Sequence, residues 1–186
     1  MIQLDVEVSD LDCEDFRVLT LPCNLRAELD SHYEYIILST SPEISISRND
    51  SLEELNDILD EINSENPGMT AEYLKILLDA SPSGDLFDEE FVRKLKENEF
   101  MFCDISELSL AMSAKETAGY YLVTEHRVPF DYGLTDEVFD VISNDVLVDY
   151  INWEQIWEQY EYVGFRLIER AGTTCESRKR YIVHIK

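Results

Sequence analysis

Basic residues are scarce in this chain of 186 residues: 15 Lys and Arg face 40 Asp and Glu, which gives a formal net charge of −25. A field this negative repels nucleic acids and anionic membranes and attracts cationic surfaces. The chain is nonetheless 45% hydrophobic and contains 8 Phe and 10 Tyr, a composition typical of folded rather than disordered proteins. The acidity therefore needs a reason other than disorder.

Glycine and histidine are also few, and this excludes the common enzyme motifs. The six glycines form neither a GxGxxG nor a GxxxxGK phosphate loop, and no GxSxG nucleophile elbow is present. The three histidines are far apart in sequence, and none belongs to an HExxH zinc motif. Paired carboxylates are abundant, but among 40 acids such pairs arise by chance. The sequence predicts a protein that is not an enzyme and that uses no cofactor.

The sequence also shows no CxxC motif, no pattern of a secretory signal and no long apolar run. The four cysteines are scattered and form no CxxC, so we expect reduced thiols with neither a zinc site nor a disulfide framework. The N-terminal MIQLDVEVSD lacks the basic and apolar regions of a secretory signal. No apolar run approaches the ~20 residues that a membrane span needs. We therefore expect a cytoplasmic protein that binds neither membrane nor nucleic acid.

The negative charge is unevenly distributed along the chain. Residues 1–74 carry 18 acids and three bases, and residues 75–165 carry 20 acids and six bases. The last 21 residues reverse the sign, with six bases and two acids. Two windows contain no Lys or Arg at all: 49–74 with eight acids and 128–165 with nine. The basic C-terminal segment is expected to face an acidic patch of the protein or of a second subunit.

Hydrophobic patterning indicates an α+β protein built of about three small subdomains. Alternating apolar residues predict strands at 1–8, 15–22, 33–40, 43–47, 100–105, 163–170 and 179–185. Helical periodicity and caps predict helices at 24–30, 51–62, 70–80, 88–98, 114–125, 135–142 and 152–161. The expected subdomains are an N-terminal βββα piece (1–65), a central helical piece (66–108) and a C-terminal α/β piece that ends in a hairpin (109–186).

Two of the predicted helices carry an acidic stripe beside an apolar face. In SLEELNDILDEI, Ser51 and Glu54 form a capping-box pattern, and the leucines repeat at helical spacing. In NWEQIWEQYE, four apolar residues (Trp153, Ile156, Trp157 and Tyr160) share one face and three acids (Glu154, Glu158 and Glu161) share another. We expect the aromatic residues to be core. Each pair of like charges at i,i+4 costs roughly 0.2–0.5 kcal/mol, so repeated uncompensated stripes indicate a function.

One segment has the spacing of a calcium-binding loop. In DASPSGDLFDEE, six residues occupy positions 1, 3, 5, 6, 7 and 12 of an EF-hand pattern, namely Asp79, Ser81, Ser83, Gly84, Asp85 and Glu90. Two serines stand where Asp or Asn is usual, Pro82 occupies position 4, and no second loop is present to pair with this one. An ordinary connection in which Asp85 or Asp88 caps the next helix explains the same residues, so no metal site is predicted.

The length scale of the acidic stripes is comparable to that of DNA. Duplex DNA carries one charge per ~1.7 Å of axis, so a charge of −25 corresponds to about 40 Å of duplex. Carboxylates one helical turn apart repeat at about 5–6 Å. A protein with such stripes could occupy the basic DNA channel of another protein and exclude the DNA by mass action.

Four stretches carry a family resemblance: YEYIILSTSPEISISRNDSLEELNDILDEI (33–62), EYLKILLDASPSGDLFDEEFVRKL (72–95), NEFMFCDISELSLAMSAKETAGYYLVTE (98–125) and DYINWEQIWEQYEYVGF (149–165). In order and spacing they resemble the ArdA-type antirestriction proteins of plasmids, phages and conjugative transposons. The resemblance implies a DNA mimic of three small domains, elongated, curved and homodimeric. Such a protein inhibits type I restriction–modification enzymes by occupying the DNA-binding groove of their specificity and modification core.

The partner-binding residues are expected to be exposed carboxylates on the acidic stripes, none of them catalytic. The candidates are Glu53, Asp57, Asp60, Glu61, Asp88, Glu89, Asp136, Glu137, Asp140, Asp145, Asp149, Glu154, Glu158 and Glu161. Three other readings stay open at this point. The protein could inhibit an RNA-guided nuclease by the same mimicry, act as a calcium-responsive acidic module through residues 79–90, or be acidic only for solubility or for a halophilic host.

Overall fold

The structure is a computed structural model that describes residues 1–10, 16–29, 34–46, 50–108, 112–125, 151–171 and 178–186. The chain divides into two compact units, Met1–Phe100 with Ile185–Lys186, and Met101–His184. Two three-stranded antiparallel sheets and several helices make it an α+β protein, as the sequence predicts. None of the helices within the described ranges is long and apolar enough to cross a membrane.

The sheet of the first unit has the strand order β2-β1-β3, with β1 at Leu4–Asp10, β2 at Phe16–Leu21 and β3 at Tyr35–Ser41. β1 lies in the centre and pairs antiparallel with both neighbours. Apolar residues alternate along β1, and Leu4, Val6 and Val8 are fully buried. This alternation places one face of the sheet on the core, because successive side chains of a strand point to opposite faces.

The strand predicted at 43–47 is wrong for residues 43–46, which have no strand structure. The Thr40 hydroxyl donates to the carbonyl oxygen of Pro42 at 3.0 Å and accepts the backbone N–H of Ile44 at 2.9 Å. These local bonds occupy a donor that a strand ladder would need. Ile44 is buried in this turn conformation, and β3 pairs with β1 instead.

Four helices of the first unit follow the predicted pattern: α1 at Leu25–Glu28, α2 at Leu52–Glu65, α3 at Ala71–Ala80 and α4 at Glu89–Lys96. The last three begin at hydrogen-bonded caps. The Ser51 hydroxyl accepts the N–H of Glu54, Thr70 accepts the N–H of Tyr73, and Asp88 accepts two N–H groups of α4. These bonds satisfy donors that a helix N-terminus leaves without intrahelical partners.

The predicted boundary between residues 65 and 66 falls inside the first unit. The Asn66 side chain donates to the carbonyl oxygen of Leu95, and Lys96 forms an ion pair with Glu61 at 2.8 Å. The buried Asn63 exchanges two hydrogen bonds with the backbone of Ile2, at 2.5 and 3.0 Å. Residues 66–96 therefore pack on the N-terminal elements, and the two compact units differ from the three predicted subdomains.

The remaining elements are β4 at Phe100–Asp104, α5 at Ala114–Thr124, α6 at Trp153–Tyr162, β5 at Phe165–Ala171 and β6 at Arg178–Ile185. They belong to the second unit except for the end residues Phe100 and Ile185, which belong to the first. The strand order is β4-β6-β5, and β5 and β6 form the predicted antiparallel hairpin, in register from Phe165–His184 to Ala171–Arg178. The turn of this hairpin and the helix predicted at 135–142 lie outside the described residues.

The core of the second unit forms where α5 packs on α6. Trp153, Trp157 and Tyr160 are each at most 2% exposed, which confirms the prediction that this aromatic face is core. The helices approach closely at Gly119, where a Cβ atom would lie 2.3 Å from the carbonyl oxygen of Trp153. Glycine is required here by backbone proximity rather than by an unusual dihedral angle.

We predict that Gly119→Ala destabilises the protein by about 1–3 kcal/mol, because the added methyl group forces the α5–α6 contact apart. Equilibrium unfolding in urea measures the change. Gly68→Ala is the matched control, since nothing lies within 4 Å of its Cβ position, and its effect should stay within about 0.5 kcal/mol. Equal stability of the two variants would contradict the packing described here.

Candidate partner-binding surface

The first acidic stripe lies on the solvent side of α2. Leu52, Leu55, Leu59 and Ile62 are buried, and the four predicted site residues of this helix, Glu53, Asp57, Asp60 and Glu61, are exposed. The helix contains no basic residue. Within the described residues, Asp57 and Asp60 form no ion pair, whereas the Glu61 carboxylate lies 2.8 Å from Lys96 Nζ. The centre of the stripe is thus uncompensated.

Asp88 and Glu89, at the start of α4, have different roles. The Asp88 side chain accepts the N–H groups of Glu90 and Phe91 at 2.9 and 3.3 Å, so it is the N-cap of α4. A hydrogen bond from the Ser83 side chain, followed by that from the Phe91 N–H, lowers the pKa of Asp88. Glu89 is exposed and has no ion pair among the described residues. Asp88 thus stabilises the helix, and Glu89 is the acid available to a partner.

The bases of α4 are engaged by acids of the same unit. Arg93 binds Glu90 through two nitrogens at 2.9 Å, contacts Glu97 and lies 3.1 Å from Glu99. Lys94 lies 3.5 Å from Glu90. These carboxylates raise the pKa of Arg93, with the Glu90 hydrogen bond as the largest cause. The charges of α4 therefore largely cancel within the helix and its C-terminal flank.

The segment with EF-hand spacing is a helix connection in the structure. The Asp85 side chain accepts the N–H of Phe87 at 2.9 Å, and the acid at the closing position, Glu90, binds Arg93. Gly84 adopts a left-handed conformation with φ of 60°. No three His, Cys, Asp or Glu side chains within the described ranges form a group that could hold a metal ion.

The second stripe lies on α6. Glu154 and Glu158 are exposed and have no ion pair in the part of the chain that the structure describes, and Glu161 lies 3.7 Å from Lys115. The opposite face of the helix is held by Trp153 and Trp157 in the core. Anchored by this face, the helix presents its two uncompensated acids in a fixed arrangement.

Five of the predicted site residues cannot be placed on either stripe. Asp136, Glu137, Asp140, Asp145 and Asp149 lie outside the described residues. Of the other nine, six lie on the first unit and three on the second. The structure brings together Glu53, Asp57, Asp60 and Glu61 on one helix, and Glu154, Glu158 and Glu161 on another.

The structure also contains a groove of about 350 Å³ between α2 and α4, which the sequence did not predict. Its lining residues are Glu54, Ile58, Glu61, Phe87, Glu89, Val92, Arg93, Lys96 and Glu97. The sequence pattern assigns Glu54 only a capping role. Ile58 gives a signal that was available in the sequence, because it follows Leu55 by three residues and precedes Ile62 by four, so it widens the apolar face toward Glu54 and Glu61.

We predict that the pKa of Glu90 is about 2, well below its usual 4.5, mainly because of the hydrogen bond from Arg93. Because this pKa is lowered on folding, the resulting stability is present above pH 4.5 and is lost as the pH falls toward 2. In Arg93→Gln the pKa of Glu90 should rise toward 4.5. Carboxyl NMR titration measures both values.

Lys75→Gln is the control for this titration, since Lys75 faces Asp79 rather than Glu90. It should leave the pKa of Glu90 unchanged. A Glu90 pKa near 4.5 in the unsubstituted protein would show that the Arg93 network does not persist in solution.

Comparison of the chain with protein-family models, curated proteins and solved structures yields no match. The assignment of a function therefore rests on the chemistry of the acidic surfaces and on the resemblance of the four quoted stretches. The acidic surfaces are described by the contacts named above, whereas the four stretches provide a resemblance to a known family.

Proposed function

We propose that this protein is an acidic DNA mimic that occupies the DNA-binding groove of a type I restriction–modification enzyme and so inhibits restriction. The observation that carries the proposal is the pair of uncompensated acidic helix faces. Asp57 and Asp60 on α2, and Glu154 and Glu158 on α6, have no ion pair within the described residues. Exposed carboxylates without counter-charges are available to the Lys and Arg residues that line a DNA channel.

The anchoring of each stripe supports this mechanism. Each helix is held by a buried apolar face, so the carboxylates need little ordering when a partner binds. Occupation of the channel excludes DNA by competition and requires no catalytic residue. An exposed ion pair contributes about 0.2–1 kcal/mol, so single carboxylates contribute little and several together contribute much. The interaction weakens as salt screens the charges.

A homodimer and an elongated arrangement of the chain belong to the same proposal, because the family resemblance implies both. An RNA-guided nuclease is the second candidate target, since it also binds nucleic acid in a basic channel. The same acidic stripes would serve there. The calcium-responsive module receives no support from the loop at 79–90, where Glu90 is bound by Arg93.

The proposal predicts that the protein displaces a labelled DNA duplex from a type I restriction–modification core enzyme, and that displacement weakens as salt rises. In the triple variant Glu154→Gln, Glu158→Gln, Glu161→Gln, the concentration needed for half-displacement should rise about 3- to 150-fold, from roughly 0.2–1 kcal/mol per carboxylate. Each single substitution should change it by less than about 5-fold. Fluorescence anisotropy of the duplex measures displacement.

Glu107→Gln combined with Glu125→Gln is the control for general charge loss, because both acids are exposed on the second unit and lie off the α6 stripe. Glu154→Gln with Glu158→Gln should weaken displacement more than this pair, although the change in charge is equal. Absence of displacement at any salt concentration would exclude the restriction enzyme as target, and the assay would then be repeated with an RNA-guided nuclease.

A further inference from the structure

The groove between α2 and α4 combines an apolar floor with charged walls. Ile58, Phe87 and Val92 line it together with acids of both helices. The side chains of Ile58 and Phe87 are neither fully buried nor fully exposed. An apolar groove of this size can take one or two side chains of a partner, and burial of their apolar surface would contribute to binding.

The positive charges in the groove are already neutralised. Arg93 contacts Glu90, Glu97 and Glu99, and Lys96 lies 2.8 Å from Glu61. The Glu61 hydrogen bond is the largest cause of the raised pKa of Lys96. These two bases would therefore repel a cationic group of a partner only weakly, because adjacent carboxylates neutralise their charges.

Two acids of the groove have no such partner. Glu54 and Glu89 lie in the first turns of α2 and α4, and within the described residues neither carboxylate forms an ion pair. The C-terminal halves of the two helices meet, as shown by the Glu61–Lys96 pair and by the bond from Asn66 to the carbonyl oxygen of Leu95. The groove thus has a neutralised part at Lys96 and unpaired negative charge at Glu54 and Glu89.

We propose that this groove binds an arginine-bearing amphipathic segment of the partner protein. The guanidinium group pairs with Glu54 and Glu89, and an apolar side chain or the aliphatic stem of the arginine packs on Ile58, Phe87 and Val92. Arginine suits such a site because its stem is apolar and its head binds carboxylates with two parallel hydrogen bonds. The inference rests on the proposed function, since it adds a shape-specific contact to the same acidic surface.

This contact distinguishes the protein from DNA itself. A phosphate backbone offers charge but no apolar pocket beside it, so a basic channel that binds both ligands would bind this protein through an additional apolar contact. Specificity for one partner among many basic proteins would come from the groove, whereas the stripes would supply attraction to any basic surface.

The test uses the full chain and a short fluorescein-labelled peptide in which two arginines flank two leucines. A matched peptide carries serines in place of the leucines. We expect the leucine peptide to bind at least about 5-fold more tightly, because it buries apolar surface on the floor of the groove. Methyl NMR signals of Ile58 and Val92 should shift on addition of the leucine peptide and remain in place with the serine peptide.

Two variants of equal charge change locate the contact. Glu54→Gln with Glu89→Gln should weaken binding of the leucine peptide at least about 5-fold, whereas Glu34→Gln with Glu43→Gln, which are exposed on the first unit and lie outside both the groove and the acidic stripes, should weaken it less than about 2-fold. Equal effects of the two pairs, or equal binding of the two peptides, would overturn the inference and leave an interaction governed by net charge alone.

The outcome of the peptide-binding experiment is independent of the outcome of the DNA displacement assay. The peptide assay contains no restriction enzyme, so a failure to displace DNA would remove the proposed function without changing the peptide result. Conversely, equal binding of the two peptides would remove the groove contact while displacement of DNA through the stripes could still be observed.

Discussion

The repulsion among excess carboxylates is the constraint on which this structure depends. Each acidic helix is stabilised against this repulsion by the burial of its apolar face. On α2 this face contains the fully buried Leu55 and Leu59, and on α6 it contains Trp153 and Trp157. A fully buried leucine contributes about 1.5–3 kcal/mol, whereas a pair of like charges at i,i+4 costs about 0.2–0.5 kcal/mol. Burial therefore outweighs the local repulsion, and the acidic faces can remain without counter-charges.

The placement of the bases determines where the uncompensated charge remains. Arg93 and Lys96 pair with acids around α4, and Lys115 lies beside Glu161 at the end of α6. The middle of α2 and the start of α6 are left negative among the described residues. A surface divided in this way is consistent with a binding role, because general solubility would not require the bases to be concentrated away from two helix faces.

Much of the candidate site could be predicted from the sequence, because helical periodicity assigns each residue to a face. The exposure of Asp57 and Glu158 follows from the burial of the apolar residues beside them. Ion pairs between distant residues, such as Glu61 with Lys96, are not encoded by local spacing. The sequence left open whether Asp85 or Asp88 caps α4, and the hydrogen bonds that Asp88 accepts from the N–H groups of Glu90 and Phe91 decide for Asp88.

The sequence by itself determined the α+β class, the helices that the structure describes, the Ser51 cap of α2, the terminal hairpin and the division of α6 into an aromatic and an acidic face. These features depend on local periodicity and on residues near in the chain. Only the tertiary structure decided that β3 pairs with β1, that residues 66–96 join the first unit, and that α2 and α4 enclose a groove. The reason is physical: these outcomes depend on contacts between residues far apart in sequence, whose approach no local pattern specifies.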